Sequence, residues 1–202
     1  MNSHNLNDIK RLFLVIIIVS LTNCNTKQET DKWDNVKINS NISKESIYST
    51  LDKQEEIYGF ELEDSLMKRT SDVAYFSGEK INLLDDKYSK LNNCRAQFNK
   101  SNILIINIGI SNGFSGWGFT ISYRNKKFYT EPYSFTDMVI PDEVEPTYQI
   151  IFQKLTLDKA NYKLGDSLYG RLEFKSIETD KENKKIEHFG IGNFRTKVKR
   201  RI

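Results

Sequence analysis

Ser115 and His188 are the residues whose chemistry would allow nucleophilic catalysis. Ser115 lies in Gly113-Phe114-Ser115-Gly116-Trp117, which approaches the Gly-x-Ser-x-Gly pattern of a nucleophile elbow. Trp117 replaces the last glycine of that pattern, and the residues after it predict a strand where an elbow needs a helix. We therefore expect the glycines to serve a turn and close packing, and we expect His188 to be a half-exposed strand residue.

A hydrolase is an alternative interpretation of the same residues. Ser115, either Asp137 or Asp166, and His188 follow one another in the order Ser, Asp, His, which is one of the chain orders of catalytic triads. The histidine of a triad takes the proton of the serine hydroxyl, and the carboxylate orients the imidazole. This interpretation requires His188 to contact both Ser115 and one of the two aspartates.

The sequence lacks the residues of the common metal centres. His188 is the only histidine after His4, so a zinc site of two or three histidines cannot form once an N-terminal signal is removed. The acidic stretch 136–146 lacks the alternating ligands and the glycine of a calcium-binding loop. No Lys-Ser or Lys-Thr pair follows the glycines at 113–118, so a phosphate-binding loop is not expected either. We expect no metal and no cofactor.

The N-terminus has the layout of an export signal. Lys10 and Arg11 precede an uninterrupted apolar run from Leu12 to Val19, which Ser20 and Leu21 close. A bilayer-spanning helix needs roughly 20 apolar residues, about twice the length of this run. The segment therefore fits a signal peptide better than a transmembrane anchor. An uncleaved signal, or a short buried helix, is the alternative.

The residues that follow, Leu21-Thr22-Asn23-Cys24, resemble the end of a bacterial lipoprotein signal. In that family the cysteine thiol receives a diacylglycerol, the signal is cut before the cysteine, and the new amino terminus is acylated. The resemblance implies that Cys24 is the lipidation site and that lipid anchors the chain in the cell envelope. Asn25, where an Asp would imply the inner membrane, implies the outer membrane.

Lipidation of Cys24 would leave Cys94 with no disulfide partner in its own chain. We therefore expect Cys94 to be a small buried or half-buried apolar residue rather than a reactive thiol. After Cys24 the chain is polar up to Asn41, with little to bury, which predicts a flexible tether. Trp33 interrupts this tether, and we expect it to dock on the folded domain.

The first part of the folded chain has helical spacing. Between Ser43 and Tyr58 apolar residues fall loosely at helical intervals, which predicts a short helix. A second apolar stripe, from about Glu79 to Phe98, predicts a longer helix. Its members are Ile81, Leu84, Tyr88, Leu91 and Phe98. Between the two helices, Val73 to Phe76 predicts a short strand.

From residue 102 to residue 200 the apolar residues recur mostly at every second position, which predicts β-strands. Leu168 to Ser176 is the clearest strand, and Ile186 to Val198 supplies the last one. The inward residues of the clearest strand are Leu168, Gly170, Leu172 and Phe174. The run Ile103 to Ile110 is nearly all Ile and Leu, which is typical of a strand buried on both faces.

Two local patterns predict how these strands connect. Large apolar residues alternate with small or polar ones from Trp117 to Tyr123, which directs Trp117 and Phe119 inward, and Arg124 to Lys127 then predicts a hairpin connection. Between Tyr148 and Leu157 the apolar face changes, which predicts a bulge or a crossing between sheets.

Several strands in succession without a helical crossover predict antiparallel pairing in a sandwich or an open barrel. The predicted fold class is α+β, mainly an antiparallel β-sandwich-like domain with one or two N-terminal helices. The segment Leu157-Asp158-Lys159 followed by Tyr162 to Leu168 resembles the strand-turn-strand arrangement of immunoglobulin-like and macroglobulin-like modules, which implies the same sandwich.

The sequence thus predicts three parts. They are a lipoprotein signal peptide at 1–23, a flexible tether at 24–41 and a single globular domain at 42–202, helical over 43–98 and β-rich over 102–200.

Composition and charge limit the classes of binding partner that we expect. The formal net charge is +3 over 202 residues, which gives no argument for nucleic acid binding. Aromatic residues are dense from Phe114 to Phe135, and we expect most to be core while a few spare rings contact a protein, peptide or glycan. The basic tail, Lys197 to Arg201, is either a solvated end or a contact for an anionic membrane surface.

The favoured function is a lipid-anchored binding or structural module of the cell envelope rather than an enzyme. The alternatives are an envelope hydrolase that uses Ser115 and His188, and an inhibitory or immunity-type lipoprotein.

Overall fold

The computed structural model describes residues 32–57, 68–84, 89–138 and 146–200. From Trp33 onward these residues belong to one compact unit. The predicted signal peptide and the predicted lipidation site Cys24 lie outside the described residues. Within the described ranges, no helix is long and apolar enough to cross a membrane.

The described residues are predominantly β-strand, with one 3-10 helix and one short α-helix. The helices are the 3-10 helix Ile42–Lys44 and α1, Ser46–Leu51. The strands are β1 Asp34–Asn35, β2 Lys37–Ile38, β3 Ala74–Gly78, β4 Asn93–Phe98, β5 Leu104–Ser111, β6 Ser115–Arg124, β7 Lys127–Thr136, β8 Thr147–Leu157, β9 Ser167–Thr179 and β10 Lys185–Lys199.

These strands form a mixed sheet in the order β1-β7-β6-β5-β4-β10-β9-β8-β2, with β3 also paired to β10. The prediction of antiparallel pairing is confirmed for most neighbours, but β2 pairs with β8, and β10 with β4, in parallel. Strand β10 can pair with both β9 and β4 because it is 15 residues long. Its antiparallel pairing with β9 ends at Lys197, and Val198 and Lys199 then continue beside Ala96 and Gln97 of β4.

One buried apolar cluster contains side chains from β4, β5, β6 and β7 and from β8, β9 and β10. The ring centroids of Phe119 on β6 and Phe174 on β9 lie 4.7 Å apart. Tyr75 of β3 packs on the same pair, with its ring centroid 5.3 Å from that of Phe119. Side chains of β6 therefore meet those of β3 and β9 in a single core.

The local predictions for the later strands are confirmed. The residues of β9 that the alternation directs inward, from Leu168 to Phe174, are buried. Asn125 and Lys126 both have positive φ, 53° and 62°, and form the two-residue turn between β6 and β7. The register of β8 shifts between Ile150 and Phe152, as the change of apolar face predicts.

The prediction of two helices over 43–98 is wrong in its second half. Residues 93–98 form strand β4, in which Cys94 and Ala96 are buried and the residues between them only partly so. The described residues between 79 and 92 form no helix, and Leu84 is exposed. The stripe at helical spacing is coincidental, because β4 forms by pairing with β5 and β10, which are distant in sequence. In the first half, α1 is shorter than predicted and buries Tyr48 and Leu51.

The run Ile103 to Ile110 is a strand, but it is not fully buried on both faces. Leu104, Ile106 and Ile108 are buried, whereas the residues between them are only partly covered. This pattern is that of an ordinary strand with one core face.

The later part of the predicted tether is folded. Residues 34–38 form β1 and β2, which pair with β7 and β8. The Trp33 ring lies 6.4 Å from that of Tyr129, so it docks on β7. The folded body therefore begins near Trp33, ahead of the predicted boundary at residue 42.

Candidate functional site

Ser115 is the first residue of β6, directly after the turn from β5. Its backbone N–H donates to the Asn112 Oδ1 atom at 2.7 Å, and its hydroxyl donates to the same oxygen at 3.2 Å. Gly113, at a φ of 84°, makes the turn. The prediction that these glycines serve a turn is confirmed, and Asn112 holds Ser115 at the end of that turn.

His188 lies on β10 and is only 5% exposed, so the prediction of a half-exposed residue is wrong. Its Nδ1 atom is 2.8 Å from the Tyr75 hydroxyl on β3. Its Nε2 atom is 2.9 Å from the Oε2 atom of Glu178 on β9. We call these three residues the histidine network.

The hydrolase triad is not assembled. Both ring nitrogens of His188 are engaged by Tyr75 and Glu178. Asp166 accepts a hydrogen bond from the Lys163 N–H at 2.9 Å and pairs with Lys159 at 3.0 Å. Asp137 is exposed beside the Ser115 turn, where its N–H donates to the Phe114 carbonyl at 2.7 Å. Neither aspartate orients His188.

Burial fixes the protonation of the histidine network. It lowers the pKa of His188 below the usual 6.5, although the Glu178 carboxylate acts in the opposite direction. Burial, reinforced by the negative charge of Glu178, also raises the pKa of Tyr75. A neutral imidazole therefore accepts a hydrogen bond from the Tyr75 hydroxyl at Nδ1 and donates one from Nε2 to Glu178. A phenol held protonated in this way is a hydrogen-bond donor, not a nucleophile.

The histidine network is enclosed by aromatic rings and strand neighbours. The Tyr75 ring is nearly parallel to the imidazole, at an interplanar angle of 12°, and Tyr148 meets the imidazole edge-on with centroids 6.4 Å apart. Ser176, opposite His188 in the β9–β10 register, is fully buried, and its Oγ has no hydrogen-bond partner among the described residues. The network therefore ties β3, β9 and β10 together, with Tyr148 of β8 packed against it, and its arrangement is that of a structural polar cluster.

Sequence reasoning misses two members of this network. Glu178 follows Leu168 and Phe174 in the same alternation along β9, so extending that alternation past Ser176 would have placed its side chain inward. Tyr75 carries no comparable local signal, since it lies 113 residues from His188 and is brought there by the pairing of β3 with β10.

A second feature is a group of large exposed apolar side chains where β6 begins and β7 ends, next to the turn between β5 and β6. Phe114, Trp117, Phe135 and Met138 are 61%, 50%, 48% and 69% exposed, and we call them the aromatic tip. They lie at the same end of β6 and β7, but strand pairing sets Phe135 beside Gly116 and Trp117 beside Ser134, so these two rings leave opposite faces of the sheet. The prediction of a few spare rings within a mostly buried aromatic segment fits this arrangement, but Trp117 is not inward as expected.

The aromatic tip rests on glycine backbone. A Cβ atom at Gly116 would clash with the Phe135 ring, and one at Gly109 would clash with the Tyr133 hydroxyl. The rings of Tyr133 and Phe135 stack at an interplanar angle of 20°, with centroids 6.4 Å apart. The glycines are therefore the reason that these rings can lie close to β5 and β6.

Few charged residues occur in the described chain segments that form the tip. No Lys, Arg, Asp or Glu occurs from Ile103 to Tyr123, and Asp137 is the one charged residue from Pro132 to Met138. The basic tail is elsewhere, on β10, where Lys197 and Lys199 are exposed on either side of buried Val198.

No three His, Cys, Asp or Glu side chains come together as a metal site in the part of the chain that the structure describes. Cys94 is fully buried, as predicted, and burial raises the pKa of its thiol. Comparison of the chain with protein-family models, with curated proteins and with solved structures finds no match, so its function is inferred from the histidine network and the aromatic tip.

Proposed function

We propose that the protein is a lipid-anchored binding module of the bacterial cell envelope, held through Cys24, with the aromatic tip as its contact surface. The observation that carries the proposal is the exposure of Phe114, Trp117, Phe135 and Met138 at one end of one hairpin. Large exposed apolar side chains grouped at one end of a folded domain are typical of interaction sites.

The scaffold beneath the tip suits a binding role. The pairing of β6 with β7 is continuous from Ser115 opposite Thr136 to Arg124 opposite Lys127. Inner-face residues of the same hairpin, such as Phe119 and Phe128, are fully buried. The tip side chains are therefore presented by a hydrogen-bonded platform, which lowers the entropy lost on contact with a partner.

We further propose that the sheet folds into a sandwich-like domain. Contacts across the core support this, such as the 4.7 Å between the ring centroids of Phe119 and Phe174. The hydrolase alternative has no support from the positions of Ser115 and His188, since each is hydrogen-bonded to other residues.

Site-specific photo-cross-linking in intact cells tests the binding role. A photoreactive amino acid replaces Met138 in the tip, and in a control chain it replaces Leu164, an apolar residue of similar exposure at 52% on the turn before β9. We expect discrete adducts, of lipid or of protein, from position 138 and none from position 164. Equal labelling at both positions, or none at 138, would contradict the proposal.

The anchor is tested separately by mass spectrometry of the chain extracted from membranes. We expect a mature chain that begins at Cys24 and carries lipid mass. A chain that retains Met1, or an unmodified Cys24, would remove the anchoring part of the proposal.

A further inference from the structure

The chemistry of the aromatic tip indicates what it contacts. Trp and Phe side chains are favoured at the interface between lipid and water, where an apolar body can be buried while the backbone stays near polar groups. A protein partner would usually be framed by a polar and charged rim. In the segments that form the tip, Phe114 to Gly118 has no charged residue, and Asp137 is the one charged residue from Pro132 to Met138.

The polar groups of the tip are also largely engaged within the tip. The Asn112 Oδ1 atom accepts from the N–H groups of Phe114 and Ser115 and from the Ser115 hydroxyl. The Phe114 carbonyl accepts from the Asp137 N–H. These internal bonds lower the cost of moving the turn backbone out of water.

The length of the tether allows the tip to reach a membrane. Cys24 precedes Trp33 by nine residues, which extend to at most about 30 Å. Trp33 docks on Tyr129, and Phe135 lies six residues further along β7, roughly 20 Å at the rise of a strand. An acyl chain on Cys24 and the tip can therefore lie in the same bilayer.

We propose that the aromatic tip inserts into the surface of the bilayer to which the chain is anchored. This inference rests on the proposed lipid anchor at Cys24 and names the partner of the tip as lipid. The tip has no Lys or Arg, so the contact depends on apolar burial and not on anionic headgroups. It holds the folded domain against the membrane at a second point and so fixes its orientation.

The experiment uses the full lipidated chain reconstituted in phosphatidylcholine vesicles. Met138→Cys is labelled with an environment-sensitive fluorophore, and Leu164→Cys is the matched control. Cys94 is fully buried, and burial raises the pKa of its thiol, so the native protein is labelled at the introduced cysteine. Circular dichroism before labelling verifies that each variant is folded.

We expect the emission from position 138 to shift to shorter wavelength in vesicles and to be quenched by lipids brominated in their acyl chains. The label at position 164 should show neither the shift in emission nor the quenching. Replacing Phe114, Trp117 and Phe135 together by Ser should abolish the shift at 138, while addition of anionic lipid or salt should leave it unchanged.

If the label at position 138 shows no emission shift and no quenching in vesicles, the inference is overturned. If position 138 nevertheless cross-links one protein in cells, the binding module stands and its partner is that protein. A signal at 138 that requires anionic lipid would also overturn the inference, because the contact would then be electrostatic. An unmodified Cys24 is a failure of the proposed anchor and is detected by mass before this experiment begins.

Discussion

The Nε2 atom of His188 lies 2.9 Å from the Oε2 atom of Glu178, and this contact joins β10 to β9 within the interior of the protein. The side chains of His188 and Glu178 are 6% and 19% exposed. Tyr75 completes the arrangement on the other side of the imidazole. An imidazole held between a phenol and a carboxylate, with little access to water, makes a chain of hydrogen bonds whose loss is costly.

We predict that stability falls as the pH decreases below 6.5, and that His188 is responsible. Burial lowers the pKa of His188 in the folded state, so below 6.5 the unfolded chain binds the proton more readily than the folded chain does. Above 6.5 both states carry a neutral imidazole, and this residue adds no dependence on pH. Urea denaturation at a series of pH values should show the decline in the wild type and a shallower one in His188→Gln.

Two aspartates act at lower pH and do not obscure this test. The hydrogen bond from Arg195 lowers the pKa of Asp52, and the N–H of Lys163 lowers that of Asp166, both from 3.8. Their contribution is present above 3.8 and is lost only as the pH falls further. A decline between 6.5 and 3.8 that is identical in His188→Gln and wild type would rule out His188 as its source.

Tyr75→Phe tests the other end of the histidine network. The substitution removes the hydroxyl that donates to the His188 Nδ1 atom and leaves a buried acceptor without its partner. We expect a loss of about 1–3 kcal/mol in the free energy of unfolding. Ser77→Ala, at an exposed position on the same strand, is the control and should change stability little. Equal stability of Tyr75→Phe and wild type would show that water replaces the hydroxyl.

Arg195 should contribute more to the free energy of unfolding than Arg171, although each pairs with a carboxylate near α1. The Arg195 guanidinium donates to Asp52 at 2.8 Å and to backbone carbonyls of Tyr48 and Arg69 at 3.2–3.3 Å, and its side chain is 15% exposed. Arg171 is 52% exposed and contacts Glu45 and the Asn193 side chain.

We therefore expect Arg195→Ala to lower the free energy of unfolding by about 1–3 kcal/mol, because the partly buried carbonyls of Tyr48 and Arg69 lose their donor. Arg171→Ala removes an exposed pair and should cost at most about 1 kcal/mol. Thermal denaturation of the two variants in parallel makes the comparison. A larger loss for Arg171 would indicate that α1 is held by charge rather than by the bonds to backbone carbonyls.

The parts of this fold that sequence predicts well are those with local causes. The alternation from Leu168 to Phe174 identifies the inward face of β9 without reference to any partner strand. Asn125 and Lys126 predict a hairpin because the turn itself sets the pairing of β6 with β7. The change of apolar face in β8 likewise predicts its bulge.

The parts that sequence misses have causes that are distant in the chain. The strand β4 is defined by β5 and by the end of β10, and its two buried residues, Cys94 and Ala96, are too few to outweigh an accidental helical stripe. Trp117 follows the inward alternation of Phe119 but lies where the hairpin extends beyond the core, so it is exposed. For the histidine network, the sequence shows the residue types but does not indicate the register of β3 and β9 against β10 that brings them together.

Gly118→Ala tests the close packing of β5 against β6 beneath the aromatic tip. Gly118 has a φ of 157°, and an added Cβ would overlap with the carbonyl oxygen of Ile108, a backbone atom that cannot move aside as a side chain does. Overpacking of this kind typically costs about 1–3 kcal/mol. Gly78→Ala, where the nearest atom to an added Cβ is 3.8 Å away, is the control and should cost much less. Unfolding by urea measures both, and a tolerated Gly118→Ala would mean that β5 and β6 separate enough at this point to admit a methyl group.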